Sequence, residues 1–189
     1  MRLETKRLII RPLDMNDLHD FHGILSQKEV MQYIPDMTPT PEELKGYFEW
    51  FFDCYKKNRP DKIIKYTVGI ELKESRRPIG WCGFGPLDFN PGEIELYYGI
   101  AREHWNRGYA TEASLAMLDF AFRAVGLNEI VAVVMPANKA SVRVIEKVGL
   151  IYRKKVENLP EKFAGYEGDH YYSLTRAEYE MSSGKKSPK

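Results

Sequence analysis

The chain has 189 residues, 43% of them hydrophobic and 29% charged, which suits one globular domain with its own core. Its 28 basic residues nearly balance 27 acidic ones for a formal net charge of +1, and this speaks against a nucleic-acid partner. No apolar run reaches the roughly 18 residues of a membrane helix, the opening MRLETKRLIIRPL lacks an apolar signal core, and Cys54 and Cys82 show no metal-ligand spacing, so the expectation is a cytoplasmic protein with two reduced, packed thiols.

Taken in chain order, RLIIRPL (Arg7 to Leu13) reads as a strand stopped by its proline. Asp14 or Asn16 caps a helix to about Gln27, with Leu18, Phe21 and Leu25 on one face. His19 and His22 lie three apart on that helix and read as surface residues, with no third metal ligand nearby. Thr40-Pro41-Glu42-Glu43 is a capping box with proline at the first helical position, so a second helix is expected to run to about Lys57. The period then becomes strand-like over Lys62 to Leu72, Pro78 to Pro86 and Glu93 to Ile100. The turn-like connections KESRRP and LDFNPG favour an antiparallel meander. Helical spacing returns from Gly108 to Ala124, followed by a buried-type strand from Glu129 to Met135. Asn138 caps a short helix ending near Gly149, and Leu150 to Val156 and His170 to Leu174 close the fold as strands. No repeat or linker divides the chain, so residues 1–181 read as one domain and 182–189 as a disordered polar tail.

The segment His104-Trp105-Asn106-Arg107-Gly108-Tyr109-Ala110-Thr111-Glu112-Ala113 carries the most information. It joins a strand to a helix and places small residues, Gly108 and Ala110, where backbone N–H groups and the positive end of the helix dipole are exposed. A phosphate can approach such amides closely, with the Thr111 hydroxyl and the Arg107 charge beside it. A glycine easing a tight turn is the other reading of these residues alone. Two other phosphate motifs are excluded: no GxxxxGK[ST] occurs, and the glycines of Gly80-Trp81-Cys82-Gly83-Phe84-Gly85 fall inside a strand, where they mark bends or bulges.

The segments LETKRLIIRPLDMNDL, IELYYGIAREHWNRGYATEA, PANKASVRVIEKVGL and GDHYYSL together resemble the GNAT superfamily, and its RimJ/RimL-type N-acetyltransferases in particular. The resemblance implies an α/β fold with a mixed, mostly antiparallel sheet of about six or seven strands flanked by about four helices. It also implies a splayed strand pair that binds acetyl-CoA, between the strands ending at Ile100 and Met135. By that likeness the backbone of Gly99 and Ile100 pairs with the pantetheine arm, and Trp105, Asn106, Arg107, Gly108, Tyr109, Ala110 and Thr111 wrap the pyrophosphate. Asn138 hydrogen-bonds the pantetheine, Ser141 lies near the thioester sulfur, and the Ile100 N–H faces the oxyanion. Trp105 stands where the superfamily often has Gln or Arg, a mark of the RimJ/RimL branch.

The implied reaction is attack of a neutral amine on a thioester carbonyl, without a metal. It requires a base for the ammonium, a donor for the oxyanion and a partner for the departing thiolate. Ser141 is the candidate partner for the thiolate. Glu95 is the leading candidate base, Glu93 shares its strand face, and Glu157 and Glu161 are further carboxylates in a late loop. The acceptor is a primary amine: a protein N-terminus, a polyamine or a small amine-containing compound. Neither nucleic acid nor membrane is expected as a partner, and the chain acts as a monomer or homodimer. A non-catalytic module binding acyl-CoA or a peptide in the same groove is the competing reading.

Overall fold

The computed structural model describes residues 1–34 and 38–184. Eight strands form one sheet. Strands β1 (Leu3–Glu4) and β2 (Leu8–Pro12) open the chain, and β3 (Tyr66–Leu72), β4 (Pro78–Leu87) and β5 (Asn90–Ile100) form the expected meander. Strands β6 (Glu129–Val134), β7 (Ile151–Lys155) and β8 (His170–Thr175) complete the order β1-β2-β3-β4-β5-β6-β8-β7. Every pairing is antiparallel except β5 with β6, which is parallel. The eight strands exceed the six or seven expected, because the two-residue β1 is too short to carry a periodic signal.

A helical excursion separates β2 from β3. The first predicted helix, to about Gln27, is a 3-10 turn (Met15–Asp17) running into α1 (Leu18–Leu25), and a short helix that was not expected, α2 (Lys28–Met31), follows it. Helix α3 spans Pro41–Lys57 and starts as the sequence dictates: the Glu43 N–H donates to Thr40 Oγ1 at 3.2 Å, and Glu43 Oε2 accepts from the Thr40 N–H at 2.8 Å. The buried Phe21 of α1 and Phe48 of α3 meet edge to face at 5.6 Å, fastening this layer over one face of the sheet. The opposite face carries the main core, where α4 (Tyr109–Asp119) and α5 (Lys139–Lys147) with its C-cap Val148 pack through Ala113, Met117, Leu118, Ile145 and Val148 against Leu8, Ile70, Phe84, Leu96 and Ile130. A π-helical segment, Phe120–Val125, prolongs α4 until Gly126 ends it with a left-handed φ of 88°.

Helix α6 (Arg176–Gly184) follows β8. It takes in the first residues of the expected disordered tail, and residues 185–189 lie outside the described part. Cys54 and Cys82 are free and buried. Among the described residues no helix is long and apolar enough to cross a membrane.

Candidate functional site

The site is built around the end of the parallel pair. Strands β5 and β6 share one ladder position, Glu95 opposite Val131, and then diverge. The Ala101 N–H donates to the Ile79 carbonyl at 2.8 Å, so with strand alternation the backbone of Ala101, Gly99 and Tyr97 turns toward β4. The backbone of Tyr98 and Ile100 therefore turns the other way, toward the space that β6 has left. Of the two residues expected to offer backbone to a pantetheine arm, Ile100 faces the open side together with Tyr98, whereas Gly99 faces β4. Gly99 serves packing instead, since a Cβ there would stand 2.3 Å from the Trp81 ring and its bare Cα makes room for that indole. Where a continuing ladder would satisfy the Val133 N–H, Glu95 Oε1 accepts from it instead, at 3.2 Å. The carboxylate thus sits as a wedge at the base of the fork.

The second element is the start of α4. Asn106 and Gly108 both have left-handed backbone, φ 59° and 78°, and Gly108 caps the helix without any side-chain hydrogen bond. The first internal bond of the helix is from the Glu112 N–H to the Gly108 carbonyl, at 3.0 Å. The N–H groups of Gly108, Tyr109, Ala110 and Thr111 precede it and, among the described residues, have no protein acceptor. Asn106, Arg107 and Gly108 are exposed, so the amides open to solvent. Arg7 holds this loop in place: Nη1 donates to the Arg107 carbonyl at 2.8 Å, Nε to Glu112 Oε2 at 2.7 Å, and the guanidinium lies 4.5 Å from the Tyr109 ring centre. Glu112 also accepts from the Arg7 N–H and from Thr5 Oγ1, and these hydrogen bonds hold its carboxyl below the ordinary carboxylate range despite burial. Glu112 is therefore the tie between α4 and β2. The Trp105 indole is committed elsewhere. Its Nε1–H donates to the Ile100 carbonyl at 2.6 Å, so it buttresses the loop from inside and has no donor left for a phosphate.

The third element is the start of α5, across the fork. Asn138 Oδ1 accepts from the Ser141 N–H at 3.1 Å, capping the helix, and its side-chain NH2 has no partner among the described residues. Ser141 Oγ lies 2.7 Å from the Tyr98 hydroxyl, which also donates to the Ser141 carbonyl at 3.2 Å. Tyr98 thereby spans from β5 to α5, and burial pushes its phenol up to about 12.

Carboxyl groups collect on the other face of the sheet. Glu93, Glu95 and Tyr97 share it by alternation along β5, and Tyr171 shares it through its pairing with Val133. Burial, first of all, raises Glu95 to about 7; the charges of Asp88 and Asp169 add to this, and the Val133 hydrogen bond opposes it. Asp169, just before β8, is 7% exposed, its carboxyl has no hydrogen-bond or ion-pair partner among the described residues, and burial raises it too. Glu157 and Glu161 are exposed, the former paired with Lys155 at 3.4 Å. Tyr98, Arg7 and Asp169 are the residues that sequence reasoning missed. For Tyr98 a signal existed, since the period of β5 puts it on one face with Leu96 and Ile100; for Arg7 there was none, as its partners lie about a hundred positions away.

The acetyltransferase (GNAT) domain family matches residues 7–151. The Bacillus subtilis protein YkkB is 31% identical over 175 residues, covering 90% of this chain and 96% of that protein. A crystal structure of a GNAT-family acetyltransferase from Bacillus anthracis superposes with a TM-score of 0.77 at 24% identity, over 94% of this chain and 99% of that one. The spermidine N-acetyltransferase of Vibrio cholerae, solved with CoA and spermine, has the same fold at a TM-score of 0.74 and 19% identity, over 93% of this chain and 99% of that one.

Proposed function

The chain belongs to the GNAT acetyltransferase family, and we propose that it moves the acetyl group of acetyl-CoA to a primary amine in the manner of the RimJ/RimL-type branch. The observation that carries this reading is the fork: two parallel strands part beside four helix-start amides that, among the described residues, no protein group fills. The fork fits the co-substrate in both its chemistries. The amides of Gly108, Tyr109, Ala110 and Thr111 would receive the diphosphate, with Asn106 and Arg107 at its edge. The open backbone of Tyr98 and Ile100 would pair with the pantetheine amides like an added strand, and the side-chain amide of Asn138 would meet them from the far side.

In the transfer, the amine nitrogen bonds to the acetyl carbon, the carbon–sulfur bond breaks, and the ammonium proton must leave. Glu95 takes that proton, directly or through water; a carboxylate raised to about 7 accepts it readily near neutral pH and is ionised there about half the time. The Ile100 N–H faces the developing oxyanion, and Ser141 hydrogen-bonds the departing thiolate. Glu93, Glu95 and Asp169 make the acceptor side acidic, which favours an amine carrying additional positive charge over a neutral or acidic one. The Vibrio cholerae structure supports the same class, with a polycation and CoA together on this fold.

An acceptor screen tests the reading. Thiol release from acetyl-CoA is followed against diamines and polyamines, peptides with free N-termini, and amino-sugar compounds. Turnover with a cationic amine is expected. Acetyl-CoA binding without turnover on any acceptor would favour the non-catalytic binding module instead.

A further inference from the structure

Within the proposed acetyl transfer, the fork holds one more functional contact. Ser141 alone is a poor partner for a leaving thiolate, because a serine hydroxyl rotates freely and is weakly acidic. Here it is not alone: the Tyr98 hydroxyl approaches Ser141 Oγ to 2.7 Å and the Ser141 carbonyl oxygen to 3.2 Å. A carbonyl can only accept, so in that second contact the phenol is the donor. In the 2.7 Å contact either hydroxyl can be the donor; when the phenol shares its proton between the two oxygens of Ser141, the serine's own proton is left uncommitted.

We infer that Tyr98 is a positioning residue for the transfer: its hydroxyl donates to Ser141 Oγ and turns the Ser141 proton into the fork, toward the departing sulfur. The tyrosine is anchored for this role from both sides. Its ring packs against the main core, and its backbone belongs to the strand whose open edge lines the fork. Tyr98 is not itself the acid. A thiolate with an ordinary value near 8.5 does not draw a proton from a phenol held at about 12, so the phenol keeps its proton throughout. Two donors in line strengthen one another, which is how a weak serine donor becomes adequate.

The test is a double-mutant cycle on kcat with acetyl-CoA and the best acceptor from the screen. Tyr98→Phe keeps the ring and the packing; kcat is expected to fall about tenfold, a loss of the size of one aligned donor, with the acetyl-CoA KM unchanged. Ser141→Ala is expected to lose at least as much, and adding Tyr98→Phe to it is expected to cost nothing further, because the phenol then has no hydroxyl to orient. Replacement of Tyr98 by 3-fluorotyrosine, a stronger donor of nearly the same shape, is expected to keep kcat at or above the parent value. Independent, multiplying losses in the double variant would overturn the inference. So would an unchanged kcat in Tyr98→Phe, or a drop with fluorotyrosine as large as with phenylalanine. A parent protein with no turnover on any amine would remove the transferase reading and this inference with it, whereas normal turnover with an indifferent Tyr98 removes this inference alone.

Discussion

Replacing Glu95 by Gln changes one charge and little else. Glutamine keeps an oxygen for the Val133 N–H, so the wedge at the base of the fork survives while the base is lost. The kinetic consequence is large, since positioned proton transfer contributes about 10²–10⁴-fold; kcat is expected to fall by at least a hundredfold with acetyl-CoA affinity intact. The parent kcat is expected to decline about tenfold per pH unit below about 7, as Glu95 protonates, and that acid limb should vanish in the variant. The same carboxyl leaves a mark on stability, with a definite sign. Its value is about 7 when folded against 4.5 ordinarily, so between those limits the folded protein binds more protons than the unfolded one. Stability therefore falls as pH rises through that window. At about 1.36 kcal/mol per pH unit, the parent is expected to lose up to about 3 kcal/mol relative to Glu95→Gln between 4.5 and about 7, and no more above it. Denaturant unfolding of both proteins at a series of pH values, together with pH–rate profiles, reads both effects. An unchanged pH–rate profile in the variant would remove Glu95 as the base. Parallel stability curves would show that its burial carries no cost.

Three other perturbations address the remaining parts of the site. Arg7→Ala removes the hydrogen bonds to the Arg107 carbonyl and Glu112, so acetyl-CoA affinity, by calorimetry, is expected to weaken several-fold, with about 1–3 kcal/mol lost from stability. Gly108→Ala forces a side chain onto a φ of 78° and is expected to cost about 1–2 kcal/mol and to weaken acetyl-CoA binding, whereas Gly108→Asn, which tolerates that conformation, should bind nearly normally. Asp169→Asn is expected to raise the KM of a dicationic acceptor several-fold while leaving that of a monoamine almost unchanged, because only the former has a second charge to place near the buried carboxyl.

What could be read from the sequence was what is encoded locally. The start of α3 follows from Thr40 and Glu43, and both are seen to bond as the motif requires. The amide-rich turn at Gly108 was legible because glycine is the residue that adopts its left-handed backbone without strain. The same logic should have found α6. Thr175-Arg176-Ala177-Glu178 is a second capping box, with the Glu178 N–H on Thr175 Oγ1 and Glu178 Oε2 accepting from the Thr175 N–H, but it was hidden at the end of a strand-like run. Other features depend on long-range geometry. That Glu95 fills a vacant ladder position on Val133, that Trp105 spends its indole on Ile100, and that Tyr98 reaches Ser141 all follow from how far β5 and β6 part. No spacing along one chain records that distance.

The central claim, that the parted strands and the bare start of α4 form an acetyl-CoA site, is tested most directly by calorimetric titration with two ligands, acetyl-CoA and acetyl-pantetheine. The expected result is one acetyl-CoA bound per chain, with affinity at least tenfold above that of the fragment lacking the diphosphate. Equal affinity for the two, or no heat with either, would contradict it.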